Sequence, residues 1–253
     1  MKTRIEADNA YTIIQQNKYN YLADYDASGR GWDTNQALDF QVAILHAHNG
    51  WADYQEFLWK DIPDLDTKDV LDFGCGPGRN LIHYNKVFKS IDGVDLAEVN
   101  LNTARRWLTA CGLDVNKFKL YKNDGVTLSG IADASYDVVM STICFQHISV
   151  YDIRYQLLEE MYRVLRPGGY VTLQLLLTAD KAGTVEYYDN AYDAKDTNGA
   201  ADCTVKDPEY VRKDLEAIGF TDFHYYIRPS AELMGGKRGP GSDTDWLYVN
   251  ARK

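Results

Sequence analysis

Residues 70–80 read VLDFGCGPGRN, and the fold predicted for the chain depends on this stretch. Its first half is a short apolar run typical of a buried strand, and its second half carries glycine at positions 74, 76 and 78. Glycines let the backbone turn sharply and let a ligand come close, because they have no Cβ. A helix beginning after them would present unpaired N–H groups to that ligand. The stretch therefore predicts a strand–turn–helix unit that holds a nucleotide or nucleoside.

Short apolar runs alternate with helical patterns from residue 69 onward. Further strands are predicted over residues 91–95, 118–122, 136–141, 170–177, 223–227 and 246–251, with helices over 80–88, 98–111, 153–165 and between Asp207 and Gly219. This alternation is typical of βαβ units and a mainly parallel sheet. The last two strands have no crossover helix between them, so they should pair antiparallel. The predicted fold is α/β: a doubly wound, mainly parallel seven-stranded sheet with an antiparallel last strand and helices on both faces.

Two segments depart from this pattern. Residues 1–60 are rich in Tyr and Trp and predict a helical N-terminal extension that covers the active site of a domain at 61–253. Residues 178–206 are polar, acidic and too long for a plain connection, which predicts a lid-like insertion.

Composition narrows the class of protein. No stretch of the 253 residues approaches the ~18–20 apolar residues that cross a bilayer, and no hydrophobic signal core is visible, so we expect a cytoplasmic protein without membrane contact. The net charge of −10 opposes DNA as a partner, and opposes a small structured RNA less strongly. The four cysteines show no C-x-x-C pairing, and His46 and His48 point to different faces of a predicted helix, so no metal site is expected.

Two ligand classes compete for the glycine loop. A dinucleotide fingerprint, G-x-G-x-x-G, would need glycine at position 79, where this chain has Arg79. A Walker loop is excluded because no G-K-[ST] follows. The loop fits D-x-G-x-G-x-G instead, with Asp72 ahead of the first glycine. A carboxylate there suits a ligand with a positive amino group better than a pyrophosphate.

The loop resembles the first motif of the class I (Rossmann-like) S-adenosylmethionine-dependent methyltransferases, small-molecule type. Other motifs of that family follow in order: GVDL at 93–96, NDG at 123–125, YDVVMS at 136–141 and LRPGG at 165–169. The resemblance covers residues 69–253 and is close over 70–177. It implies an enzyme whose cofactor is S-adenosyl-L-methionine.

The resemblance also implies cofactor-binding residues. In the family an acid at the position of Asp95 holds the ribose hydroxyls, and an acid or amide at Asp124 lies near the adenine amino group. Leu96 would pack on the adenine, and Thr142 or Ile143 would border the methionine portion. The full set of implied positions is Asp72, Gly74, Cys75, Gly76, Asn80, Asp95, Leu96, Asn123, Asp124, Gly125, Thr142 and Ile143. Arg79 and Asn80 either face the ligand's carboxylate or cap the helix.

The candidate catalytic residue is His147, because it follows the fourth strand at the carboxyl edge of the sheet and an imidazole titrates near neutral pH. It would act as a general base or shape the substrate loop. Tyr21 and Trp32 of the extension, together with His147, are candidate substrate contacts. Acidic residues of the insertion favour a cationic acceptor, whereas Lys237 and Arg238 favour an anionic one, so the acceptor stays open.

The predicted activity is O- or N-methylation of a small molecule by in-line transfer. The alternatives are a non-catalytic S-adenosylmethionine-binding regulatory protein, a protein or RNA methyltransferase, and an aminopropyltransferase. The sequence does not indicate the oligomeric state.

Overall fold

The computed structural model describes residues 4–24, 54–177, 184–192, 203–228 and 245–253. Predictions that fall on other residues, including Trp32 and the pairs His46–His48 and Lys237–Arg238, lie outside the described residues. Within the described ranges, no helix has the combined length and apolar character required to cross a bilayer.

One mixed sheet forms the centre of the molecule. Its nine described strands are β1 (Asp69–Phe73), β2 (Ser90–Asp95), β3 (Leu120–Lys122), β4 (Tyr136–Ser141), β5 (Leu165–Leu177), β6 (Val185–Glu186), β7 (Cys203–Val205), β8 (Thr221–Arg228) and β9 (Asp245–Arg252). Strands β3, β2, β1, β4 and β5 lie side by side and parallel in that order. All of their carboxyl ends therefore meet at one edge of the sheet.

Helices cover both faces of the sheet. They are α1 (Ala10–Asp24), α2 (Arg79–Tyr84), α3 (Glu98–Ala110), α4 (Tyr151–Val164) and α5 (Pro208–Ile218). Successive residues of β4 alternate between two hydrophobic cores: Val139 packs with α4 and α5, whereas Val138 and Met140 pack with α2 and α3. All three side chains are fully buried, as expected for a central parallel strand. The predicted fold class is confirmed.

Strands β8 and β9 confirm the predicted antiparallel end of the sheet. Strand β9 pairs antiparallel with β5 from Tyr170↔Arg252 to Leu177↔Asp245, and β8 pairs antiparallel with β9. Strands β6 and β7 were not predicted. Because β9 occupies one edge of β5 through Leu177, β7 must take the other edge when it pairs with Leu176 and Leu177. The small β6–β7 ribbon therefore lies beyond the carboxyl end of β4.

Helix boundaries follow local capping. The side chain of Asp207 accepts a hydrogen bond from the Glu209 amide at 2.9 Å, and Gly219 ends α5 with a φ of 118°, as the sequence predicts. The predicted extension of the helix after the glycine loop to Phe88 is wrong, because α2 ends at Tyr84. The side-chain Nδ2 of Asn85 donates to the Ile82 carbonyl, and such local side-chain bonds compete with helix continuation.

The last part of the N-terminal extension belongs to the core of the domain. Trp59 is 2% exposed, and its ring makes edge contacts with Tyr84 and Phe88 at centroid distances of 4.5 and 4.9 Å. The Thr172 hydroxyl in β5 also donates to the Leu58 carbonyl at 2.7 Å. Residues 57–62 thus pack on the face that carries α2.

We predict that Trp59→Ala lowers the free energy of unfolding by about 3–5 kcal/mol, because it leaves a large cavity under α2. Urea unfolding of the purified variant measures this loss. Ile14→Ala is the control: this side chain is 51% exposed, and its replacement should change stability by no more than about 0.5 kcal/mol. A loss below about 1 kcal/mol for Trp59→Ala would contradict the packing described for residues 57–62.

Candidate active site

The carboxyl ends of β1, β2 and β4 open into a cavity of about 310 Å³. The glycine loop, the ends of β2 and β3, the loop after β4 and helix α1 form its walls. Among the residues predicted from the sequence, it is lined by Gly74, Cys75, Gly76, Asn80, Asp95, Leu96, Asn123, Gly125, Thr142, Ile143 and His147. The volume lies within the range of about 300–1,000 Å³ that is usual for ligand sites.

The glycine loop needs glycine for two different reasons. A Cβ at Gly74 would lie 2.0 Å from the Cys144 sulfur, so any side chain there would displace the loop after β4. A Cβ at Gly76 would meet no atom within 4 Å, but its φ of 52° is left-handed and disfavours a side chain. Gly74 therefore permits close packing against Cys144. Gly76 leaves the backbone at the cavity floor, the part of the cavity formed by the glycine loop, without a covering side chain.

Asp95 joins the end of β2 to the glycine loop. Its Oδ2 accepts the Gly76 amide at 2.8 Å, and its Oδ1 accepts the Ala97 amide at 2.9 Å and the Asn100 Nδ2 at 3.0 Å. Burial raises the pKa of this carboxyl, and the hydrogen bonds partly oppose the rise. Oδ2 can still accept a bond from a ligand hydroxyl, because one of its lone pairs has no partner among these contacts.

Asp72 lies behind the cavity wall and acts on the cavity through Asn80. The Asn80 Nδ2 donates to Asp72 Oδ2 at 3.1 Å and to Thr142 Oγ1 at 2.8 Å, which ties β1, α2 and the loop after β4 together. Asp72 Oδ1 and Asn80 Oδ1 are buried without a hydrogen-bond partner. Complete burial raises the pKa of Asp72 to about 7, although the Asn80 bond and the Arg79 charge lower it.

The residues after β3 divide between two cavities. Asn123 lines the main cavity and also an adjoining cavity of about 290 Å³, whereas Asp124 lines only the second of these cavities. The Asp124 carboxylate accepts the Val126 and Thr127 amides at 3.0 and 2.6 Å and the Thr127 hydroxyl at 2.6 Å. The side chain of Asp124 is thus bound to the following turn, and its predicted role at the adenine stays a prediction.

His147 ends a 3₁₀ turn, Phe145–His147, and lines the cavity from the loop after β4. Its amide donates to the Cys144 carbonyl at 2.8 Å. The nearby thiols offer little as nucleophiles, because burial raises the pKa of both Cys75 and Cys144. These thiols are therefore poor candidates for catalysis, and the role of His147 as a general base remains a prediction.

Helix α1 supplies four further lining residues: Tyr11, Thr12, Gln15 and Tyr19. Tyr11 and Tyr19 carry a weak signal, the concentration of aromatic residues near the N-terminus. Thr12 and Gln15 carry none, because contacts of a separate helix with a loop more than a hundred residues away leave no local pattern. Tyr21 belongs to α1, but its side chain lies outside the described residues, as does all of Trp32.

Comparison with known proteins agrees with this geometry. Residues 70–169 match the family model described as a methyltransferase domain. Norajmaline N-methyltransferase of Rauvolfia serpentina is 27% identical over 114 residues, which are 45% of this chain and 37% of that enzyme. For this and seven other curated relatives, the match spans between 34% and 49% of the relative's own length.

Solved structures share the fold at low sequence identity. Phosphoethanolamine N-methyltransferase 2 of Haemonchus contortus, solved with S-adenosyl-L-methionine, has a TM-score of 0.64 at 18% identity, covering 93% of this chain and 60% of that one. Geranyl diphosphate C-methyltransferase of Streptomyces coelicolor A3(2), solved with Mg²⁺, geranyl diphosphate and S-adenosyl-L-homocysteine, has a TM-score of 0.65 at 12% identity, covering 97% and 98%. At such identities the likeness establishes the fold alone.

The raised pKa of Asp72 predicts a pH-dependent stability. The folded pKa of about 7 exceeds the unfolded value of ~4, so the folded state keeps a proton that the unfolded state loses. Stability should therefore fall as pH rises from about 4 to 7. Asp72→Asn cannot ionise, so it should melt about 5–10 °C above the ligand-free wild type at pH 8 and within about 2 °C of it at pH 4.

Asp69→Asn is the control of opposite sign. Burial raises the pKa of Asp69, but hydrogen bonds from Ser90, Lys89 and Arg166 outweigh burial and lower it. Asp69 therefore stabilises the fold above its unfolded pKa, and its replacement should lower the melting temperature at pH 8. Equal melting of Asp72→Asn and wild type at pH 8 would show that the buried carboxyl carries no such penalty.

Proposed function

We propose that this chain, whose residues 70–169 match the model of a methyltransferase domain, transfers a methyl group from S-adenosyl-L-methionine to a small-molecule acceptor by O- or N-methylation. The observation that carries the proposal is a single cavity lined by the glycine loop, by Asp95 and by His147. Donor-binding groups and a candidate proton acceptor thus face one volume, as in-line transfer requires.

The residues present fit this cofactor. Gly76 leaves the cavity floor bare beside Asp95, whose Oδ2 can accept a ribose hydroxyl. The unpaired oxygens of Asp72 and Asn80 lie behind the same floor, where a positively charged amino or sulfonium group would favour the ionised form of Asp72. Asn123, also with a buried unpaired Oδ1, lines the cavity at the end of β3 and suits the adenine amino group.

In this reaction the protein aligns the acceptor with the methyl group, excludes water and moves one proton. The bound cofactor supplies an activated methyl group on a sulfonium. Alignment of the acceptor with that methyl contributes ~7–11 kcal/mol when the geometry is right. His147 then takes the proton from the acceptor hydroxyl or amine, which contributes ~10²–10⁴-fold in rate.

The lining that surrounds the acceptor favours an uncharged molecule. Helix α1 and the loop after β4 contribute the aromatic and aliphatic side chains of Tyr11, Tyr19, Ile143 and Ile148, beside uncharged polar ones such as those of Thr12, Gln15 and Thr142. Among the described lining residues, the charged side chains are Arg79 and Asp95, and both belong to the cofactor end. Burial of an unpaired charge against such a surface is costly, so we expect a neutral, partly apolar acceptor such as a phenol or an alcohol.

Two segments beside the cavity would close the site. Helix α1 forms one wall of the cavity, which supports the role of residues 1–60 as a cover over the domain at 61–253. The part of the insertion at 184–192 docks beside the loop that carries His147, which supports a lid role for residues 178–206. We place the protein in the cytoplasm on the composition of the chain alone.

The cofactor assignment predicts different effects for two buried aspartates of β2. Asp95→Asn should weaken S-adenosyl-L-methionine binding about 10- to 100-fold, because a charge-assisted hydrogen bond is lost. Asp92 is equally buried, but its partners are the Lys119 amide and the Tyr136 hydroxyl, away from the cavity. Asp92→Asn should therefore bind within about threefold of wild type. Isothermal titration calorimetry measures the affinity of each variant for S-adenosyl-L-methionine. A wild-type dissociation constant above about 1 mM would reject the proposal.

The acceptor assignment predicts which compounds are methylated. In a panel of phenols, alcohols, phosphorylated amines and free amines, release of S-adenosyl-L-homocysteine should be fastest with neutral hydroxyl compounds. His147→Ala should lower kcat ~100-fold or more on the best of these while cofactor affinity stays unchanged. Undiminished turnover in His147→Ala would rule out the proton-transfer role, and cofactor binding without any turnover would favour a regulatory protein.

A further inference from the structure

The hydroxyl of Tyr11 lies where three separate segments of the chain meet. It accepts hydrogen bonds from the Ser149 amide at 2.8 Å and the Ser149 hydroxyl at 3.2 Å, and it donates to the His147 carbonyl at 3.5 Å. Tyr11 is 4% exposed and Ser149 is 2% exposed. A side chain of the N-terminal helix is thus bound to the backbone on both sides of Ile148, immediately after the candidate base.

The insertion is bound at the same point from the other side. The Ser149 hydroxyl lies 3.1 Å from the Ala191 carbonyl, and the Ala191 amide donates to the Ser149 carbonyl at 3.3 Å. The Tyr192 ring meets the Tyr11 ring edge-on at a centroid distance of 6.3 Å. The Tyr151 amide adds a bond to the Asp189 carbonyl at 2.9 Å. Segment 184–192 therefore contacts the loop of His147 and the N-terminal helix together.

A buried cation reinforces this junction. Arg154 of α4 is 1% exposed, and its guanidinium donates to the Ile148 carbonyl in the loop and to the Tyr187 carbonyl in the insertion. The Tyr187 hydroxyl donates in turn to Asp214 of α5 at 2.9 Å. Because the side chains of Tyr11, Ser149, Arg154 and Tyr187 are buried, undocking either segment would leave several polar groups without their present partners, which is costly.

We infer that Tyr11 and Ser149 form a junction that holds the loop of His147 in its working position only when the N-terminal helix and segment 184–192 are both docked. Tyr11 is then a positioning residue for the proposed methyl transfer, on which this inference rests. It acts through the backbone of residues 147–149. Docking of the N-terminal helix and of segment 184–192 therefore also aligns the His147 imidazole, so the proton acceptor is in place when the cavity is closed.

The test uses the full chain with Tyr11→Phe, which keeps the ring packing and removes the hydroxyl. We expect kcat to fall about tenfold while the dissociation constant for S-adenosyl-L-methionine stays within about threefold of wild type. In the His147→Ala background the same substitution should have no further effect on kcat, because its action passes through His147. An equal loss with and without His147 would overturn the inference, and so would an unchanged kcat.

Hydrogen exchange provides a readout that does not depend on activity. In Tyr11→Phe, amides of residues 147–151 and 185–191 should exchange at least about threefold faster than in wild type, and Ser149→Ala should give the same change if Tyr11→Phe fails to fold. Tyr136→Phe is the matched control, since it removes another buried tyrosine hydroxyl bond, to Asp92 at 2.8 Å, from the opposite end of β4. It should leave both segments and kcat unchanged. Unaltered exchange in Tyr11→Phe and Ser149→Ala would reject the junction, whereas failure of the wild type to bind cofactor would reject only the proposed function.

Discussion

The contact between the Asp95 carboxylate and the Gly76 amide is the interaction on which the site depends. It links the carboxyl end of β2 to the loop that follows β1, so two neighbouring strands share one cavity floor. The parallel register Phe73↔Val94 brings these ends level, and the amides of Gly74 and Cys75 both donate to the Val94 carbonyl. A carboxylate held by backbone amides is fixed in direction before any ligand arrives, which lowers the entropy cost of binding.

The sheet explains why the remaining groups collect at the same place. In a parallel sheet every loop after a strand leaves from one edge, so the loop carrying His147 necessarily lies beside the glycine loop. The close approach of Gly74 to Cys144 makes this contact tight, and the bond from Asn80 to Thr142 holds it from below. The topology of the parallel sheet, together with this local packing, thus brings the groups that would bind the methyl donor and the methyl acceptor to one edge.

The positions of the two covering segments, helix α1 and the insertion, do not follow from the topology of the sheet, because neither segment belongs to the repeated βαβ pattern. Tyr11 of helix α1 bonds to the loop that carries His147, and Ser149 and Arg154 bond to the insertion, through hydrogen bonds that are buried or partly buried. Buried hydrogen bonds of this kind hold only in one arrangement, since a partial fit leaves donors and acceptors unpaired. Such a cover is therefore specific in position.

The fold class, the glycine loop and about half of the cavity lining could be predicted from the amino-acid sequence, because hydrophobic period, glycine spacing and strand order are local signals. It predicted the antiparallel end of the sheet and the caps of α5 for the same reason. Four features were visible only in the folded chain: Asp72 lies behind the cavity wall, Asp124 bonds to its own turn, β7 pairs with β5 beyond the end of β4, and Tyr11 contacts Ser149. These features depend on contacts between residues far apart in the chain, and such contacts leave no periodic trace in a single sequence.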